Sequence, residues 1–251
     1  MYIKLKDHRV KTKAYITLEK SILILYTQIS ILYTQYLYSI PDTMNNNYDK
    51  IANHYDTLSR LVFFKSQVNA QVNQLQYLPK DSSVLIAGGG TGWILEEIAK
   101  IYPSGLRIVY VEISAKMIAL SQKRNYQNNQ VEFVNLGIED FKTEIAFDVI
   151  LTPFLFDNFA EQRAEKVFGQ LNAYLKKDGL WFLVDFSLNK ANGNWWKWLL
   201  LKSMYSFFKL LGIVEANELI DMNSYFLNAG YKILELRLYY GGFIKAVIFK
   251  K

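Results

Sequence analysis

The 251-residue chain has no cysteine, which excludes disulfides, thiolate metal sites and a cysteine nucleophile. Histidine is nearly as scarce. His8 and His54 are the only two, too few for a histidine-rich zinc site. A charge excess is also lacking over most of the length. The net charge is +6, but half of it comes from residues 1–43, where six Lys/Arg stand against Asp7, Glu19 and Asp42. The remainder carries no basic stripe of the kind that tracks a nucleic-acid backbone.

Residues 21–41, SILILYTQISILYTQYLYSIP, lack charge altogether and repeat a heptad, ILYTQIS then ILYTQYL. The length would span a bilayer. Its tyrosines, glutamines and hydroxyls argue instead for an amphipathic or poorly ordered helix, with a membrane anchor as the alternative. No small-residue cleavage site follows, so the pattern is not that of a signal peptide. Pro41-Asp42 marks a boundary, and Met44 would serve as an initiator. Residues 1–43 are therefore expected to be an extension, and 44–251 the folded domain.

The chain is rich in core-forming residues, 51% hydrophobic and 16% aromatic. From Asn45 onward the pattern alternates. Val84–Ala87, Arg107–Val111, Val131–Asn135, Phe147–Thr152 and Leu180–Phe186 read as strands. Helical spacing follows the first, and recurs over Ser114–Asn125 and over Glu161–Leu175, where Ala164, Val167, Phe168, Leu171 and Leu175 share a face. Strands separated by helices predict a parallel sheet covered on both faces. The C-terminus departs from this. YKILELRLYY, then Gly241-Gly242, then FIKAVIFKK predicts a β-hairpin, because the glycine pair supplies the positive φ that a tight turn needs.

The stretch VLIAGGGTGW, Val84 to Trp93, places glycines at the end of a strand and the start of a helix. The phosphate loop of ATPases requires a lysine that is absent here. The dinucleotide spacing Gly-x-Gly-x-x-Gly, begun at Gly88, requires glycine where Trp93 stands. Gly88, Gly90 and Gly92 would instead let backbone pass close beneath a ligand, with helix N–H groups aimed at it. Glu112 ends the second strand, where a carboxylate can accept both hydroxyls of a ribose. Together these features predict a nucleoside-cofactor site.

Several segments resemble class I S-adenosylmethionine-dependent methyltransferases in order and spacing: VLIAGGGTG, VYVEISAKMI, VEFVNLGIEDF, FDVILTPFLFDNF and LKKDGLWFLVDF. The segment YDKIANHYDTLSRLVFFKS resembles the N-terminal helix of the ubiquinone/menaquinone-biosynthesis type. The resemblance covers about residues 45–251. It implies a Rossmann-like α/β fold: a seven-stranded, mostly parallel sheet with helices on both faces and a C-terminal antiparallel hairpin. It implies helical cap elements at about 45–78 and 190–229, and S-adenosylmethionine as cofactor, with S-adenosylhomocysteine as product. Ala87, Gly88, Gly89, Gly90 and Gly92 would form the cofactor loop, and Glu112 would hold the ribose with Ile113 against the adenine. Gly137 and Ile138 would meet the adenine edge, and Thr152 the methionine moiety. Tyr48 and Tyr55 would reach in from the N-terminal helix. Two positions depart from the family: Ile86 and Gly137 stand where an acidic residue is frequent.

Methyl transfer from a sulfonium is an in-line displacement and can run largely on alignment. An acceptor of high pKa would still need a base. Asp157, past the fourth strand, and Asp185, in the fifth, are the candidates, each weighed against a local capping or pairing role. Base methylation is disfavoured, because Thr152-Pro153-Phe154 replaces the polar tetrad of exocyclic amino methyltransferases. Asn192–Gly212 puts Trp196, Leu199, Leu200, Met204, Phe207, Leu210 and Leu211 on one helical face. Lys197, Lys202, Ser206 and Lys209 lie opposite, with Trp198 and Tyr205 among them. Its aromatic content favours a small, apolar acceptor and leaves peripheral membrane contact open for a protein otherwise expected in the cytoplasm. The competing readings are an NAD-binding oxidoreductase and a non-catalytic S-adenosylmethionine-binding protein.

Overall fold

In a computed structural model, Asn45–Lys251 forms one compact unit. The structure describes residues 47–50, 52, 56–57, 63, 65–187, 197–198, 201–202, 205 and 219–251. The extension 1–43, Tyr55 and most of the 192–212 helix lie outside the described residues.

Short apolar runs bounded by turns give the strands, and amphipathic runs give the helices. The strands are β1 (Ser83–Ala87), β2 (Ser104–Val111), β3 (Asn128–Val134), β4 (Phe147–Pro153), β5 (Leu175–Phe186), β6 (Lys232–Tyr239) and β7 (Ile244–Lys250). The helices are α1 (Ser66–Val72), α2 (Trp93–Ile101), α3 (Ala115–Ser121), α4 (Glu161–Tyr174) and α5 (Met222–Asn228). The strand order is β3-β2-β1-β4-β5-β7-β6 in a single seven-stranded sheet. β1 pairs in parallel with both β2 and β4, while β7 runs antiparallel between β5 and β6. The expected fold class is therefore observed, hairpin included. Its turn is a 3-10 turn, Tyr240–Gly242, with Gly241 and Gly242 at φ 62° and 82°.

Both faces of the sheet are covered, so its central strands alternate between two cores. Leu85, Val109, Ile150, Trp181, Leu183, Val247 and Phe249 face α4 and α5. Val84, Ile86, Ile108, Tyr110, Val149, Leu151 and Phe182 face α2 through Ile94, Leu95 and Ile98. Ile86 is thus wholly buried among apolar side chains.

The first core is built around Trp181. Its indole stacks on Phe168 at 5.4 Å and meets Phe226 edge-on at 4.8 Å, and Phe226 in turn stacks on Phe249 at 3.9 Å. The indole N–H donates to Thr152 Oγ1 at 2.9 Å, which satisfies both buried groups. Trp181→Ala should cost about 3–5 kcal/mol of stability in urea unfolding, by cavity formation and a stranded hydroxyl. A loss below about 1 kcal/mol would show that this face is not a packed core.

Candidate active site

The order of the sheet decides where a ligand can sit. Connections from β1 and from β4 run to opposite sides, so a crevice opens beyond the C-terminal ends of these strands. The loop Gly88–Gly92 emerges there. It is pinned at its start, where Gly88 N–H donates to Val111 O at 2.9 Å.

The glycines of this loop serve different ends. A Cβ on Gly89 would lie 2.1 Å from the Tyr110 ring, and one on Gly92 would lie 2.4 Å from the Ser121 side chain. Those two let β2 and α3 pack closely against the loop. Gly90 is different: its φ is +66°, and a Cβ there would meet nothing within 4 Å among the described residues. Open space therefore lies over Gly90, bounded by backbone that a ligand can approach.

Glu112 closes the crevice from the β2 side. Its carboxylate is buried, with Oε2 accepting from Gly90 N–H at 2.9 Å and Oε1 from Ser114 N–H at 2.9 Å. Burial raises its pKa, and the N–H groups of Ser114, Gly90 and Ile113 oppose that rise. A carboxylate offers about four lone-pair sites, so acceptor capacity remains beyond these three N–H groups for a ligand hydroxyl. Tyr110, beneath it, donates to Gly90 O at 2.9 Å, and its phenol is held protonated by burial and by the Glu112 charge.

The N-terminal segment is anchored to the same crevice by residues that the sequence pattern does not single out. Asp49 accepts from Ser114 Oγ at 2.5 Å and from Lys116 N–H at 3.2 Å. Asp56 accepts from Thr91 Oγ1 at 2.8 Å and from Arg124 at 3.3 Å. Arg124 also donates from Nε to Thr91 O at 3.0 Å. Tyr48, expected at the cofactor, donates to Asn158 Oδ1 at 2.9 Å. The seven-residue interval between Asp49 and Asp56, two helical turns, is the signal that could have found the two acids.

On the outer edge Ile113 is 43% exposed and Leu136, not foreseen, is 44% exposed. Asn135 lies between them and donates to the carbonyls of Glu112 and Ile113, both at 2.9 Å. These exposed apolar side chains can flank a flat, apolar ring of a ligand. Ile138 is buried in the core instead of presented at this edge, and Gly137 forms a turn that accepts from Asp140 and Phe141. Thr152 also differs from expectation. Strand parity turns its side chain inward to Trp181, on the side of Ile150, so its hydroxyl does not face the crevice.

The chain is similar to known proteins in part of its sequence and in its fold. Residues 84–179 match the family described as "Methyltransferase domain". A malonyl-[acyl-carrier protein] O-methyltransferase of Bacillus cereus is 30% identical over 103 residues, 41% of this chain and 37% of that one. The chain thus matches little more than a third of the length of that curated relative. Among solved structures, an O-methyltransferase candidate of Nostoc punctiforme superposes with TM-score 0.62 at 13% identity, over 92% of this chain and 69% of its own. N-methyltransferase NodS of Bradyrhizobium japonicum, in complex with S-adenosyl-L-homocysteine, superposes with TM-score 0.59 at 13% identity, over 82% and 99%. The fold is that of class I methyltransferases.

Within this methyltransferase fold, the C-terminal ends of β4 and β5 carry the two candidate acids. Asp157 lies in the 3-10 turn Phe156–Asn158 and Asp185 near the end of β5; they are 9% and 6% exposed. The sequence presents them singly, whereas the sheet register brings them together. The amphipathic reading of 192–212 needs correction at the residues described. Lys197, Leu201 and Tyr205, spaced by four, are buried, while Trp198 and Lys202 are exposed, with the ammonium over the indole at 5.8 Å. The inward face therefore includes Lys197 and Tyr205. The lysine stem packs inward and carries its Nζ to the hairpin turn at Gly242.

The unequal surroundings of the glycines predict unequal mutants. Gly90→Ala should fold with a loss of about 1–2 kcal/mol, from φ alone, yet lose nucleoside affinity. Gly92→Ala, strained and overpacked, should lose about 2–5 kcal/mol in urea unfolding. Equal losses would show that the space over Gly90 is not a ligand cradle.

Proposed function

We propose that the protein is an S-adenosylmethionine-dependent methyltransferase acting on a small, apolar or partly apolar acceptor by in-line methyl transfer. The observation that carries this is the junction of Gly90 and Glu112: open space over backbone, faced by a buried carboxylate that has acceptor capacity left. A sulfonium cofactor supplies an activated methyl group when bound. Glu112 would hold its ribose hydroxyls, the Gly88–Gly90 backbone would lie beneath its amino-acid moiety, and Ile113 and Leu136 would flank its adenine. Residues 44–251 form the catalytic domain in this reading, with cap elements at about 45–78 and 190–229.

The acceptor side is apolar. Phe186 lies 5.0 Å from Phe154, 5.0 Å from Phe243 and 5.3 Å from Phe63, ring centre to ring centre. This aromatic cluster at the C-terminal end of β5, on the face opposite to Asp185, supports a ring-bearing acceptor. It is also compatible with the resemblance of the opening helix to the ubiquinone/menaquinone-biosynthesis type. Among the described residues no helix is long and apolar enough to cross a membrane. The oxidoreductase alternative is weakened by Trp93, which opens α2 where the dinucleotide spacing calls for glycine.

Isothermal titration tests the reading. Micromolar binding of S-adenosylmethionine and S-adenosylhomocysteine is expected, with none of NAD(H). Glu112→Ala should weaken binding by about 10- to 100-fold, because hydrogen bonds to a charged acceptor are worth about 1.5–3 kcal/mol. Well-folded wild type that binds NAD(H) and neither sulfur compound would overturn it.

A further inference from the structure

β4 ends at Pro153, opposite Val184 of β5, so the next residue along β5, Asp185, stands beside the exit of β4. The chain leaves β4 through Phe154, at φ 52°, and enters the turn that carries Asp157. Two buried carboxylates thus meet at the crevice end of the sheet, the Asp157 backbone N–H within reach of the Asp185 carboxylate. Asp157 accepts from the Asn158 amide at 2.9 Å through Oδ1, and Asp185 accepts from Phe186 N–H at 2.9 Å, also through Oδ1.

The groups facing the pair do not neutralise two charges. Tyr205 is a phenol whose hydroxyl donates to the Asp157 carbonyl at 3.3 Å. Lys245 stands opposite Asp185 on β7, but its ammonium is divided, lying 3.6 Å from Asp221. Among the described residues, one partly engaged cation stands against two buried carboxylates, and a retained proton is a cheaper solution than a second buried charge. Burial first, then the Asp185 charge, pushes Asp157 well above the carboxylate range. Burial pushes Asp185 up to about 7, against the backbone N–H groups and Lys245.

A separate observation places this pair at the cofactor crevice. Adjacent residues of one turn reach both places: Asp49 bonds Ser114, two residues from Glu112, and Tyr48 bonds Asn158, which bonds Asp157. The ring of Phe186, which follows Asp185 on β5 and turns to the other face of the sheet, packs with Phe154 and Phe243 at the same strand end.

We propose that Asp157 and Asp185 form a proton-sharing carboxylate pair that takes the proton from a hydroxyl of a ring-bearing acceptor as it is methylated. This rests on the methyltransferase reading above. The acceptor oxygen bonds the methyl carbon while the carbon–sulfur bond breaks, its electron pair returning to sulfur as a thioether. The hydroxyl proton passes to the ionised member of the pair, which leaves both carboxyls neutral until solvent takes one proton back. A pair of this kind stays deprotonated by one at neutral pH and avoids a second buried negative charge.

Protein with aspartate isotope-labelled at Cγ provides a readout independent of turnover. Wild type should show an aspartate titrating near pH 7. D185N should lower the Asp157 midpoint, because it removes the Asp185 charge that raises it, with S-adenosylhomocysteine affinity unchanged in this variant and in D157N. Titrations that ignore each other would overturn the pair. With a tritiated-methyl donor and a deproteinised small-molecule extract, each variant should transfer label on the order of 10²-fold more slowly or worse at pH 7. Transfer at the wild-type rate would also overturn it. A wild type that binds no S-adenosylhomocysteine, or transfers no label, would instead overturn the reading beneath it.

If a variant fails to fold, wild type alone still decides. A carboxyl whose folded pKa is raised contributes stability that is complete below its unfolded value of 3.8 and lost as pH rises through about 7. Stability should fall across that window, and a flat profile would overturn the proposal.

Discussion

The Glu112 carboxylate is the joint on which the site depends. It is buried at the end of β2, and its two oxygens hold the N–H groups of Gly90 on one side and Ser114 on the other. One acid thereby fixes the glycine loop against the start of α3. Burying that charge is costly, and the backbone donors that stabilise it also set the geometry of the loop. The site is thus organised before any ligand arrives, at the point where the strand order reverses.

The N-terminal segment completes the arrangement. Asp49, through Ser114 and Lys116, and Asp56, through Thr91 and Arg124, tie it to both ends of the loop region. Because the ties are charge-assisted and partly buried, they favour one docked position over many. Tyr48 extends the same segment to Asn158. A single short turn therefore touches the Glu112 side of the crevice and the Asp157 side, which in the proposed reading would make cofactor position and proton acceptor elements of one construction.

The sequence made some of this legible and hid the rest, for physical reasons. Local patterning exposed β1, β2, β4 and β5 through apolar runs, since a stretch of strand buried on both faces must be apolar, and β3, at the sheet edge, through alternation. Gly241-Gly242 exposed the hairpin. Glu112 could be placed because a strand-loop-helix-strand unit has a nearly fixed length. The pairing of Asp157 with Asp185 was not readable, since it arises from the β4–β5 register across nearly thirty residues of chain. The bond of Thr152 to Trp181 was not readable either, since it crosses from β4 to β5. Lys197 was placed outward on its charge, although the methylene stem of a lysine can be buried while its ammonium reaches the hairpin turn. Asp49 and Asp56 show only their seven-residue interval, because their meaning comes from the surface on which they dock.

A structure of the protein crystallised with S-adenosylhomocysteine tests the central claim most directly. The expected result is the ribose hydroxyls on the Glu112 carboxylate, the chain of the ligand over Gly90, and the sulfur directed toward Asp157 and Asp185. A nucleoside bound away from Glu112, or a sulfur turned from the two aspartates, would contradict it.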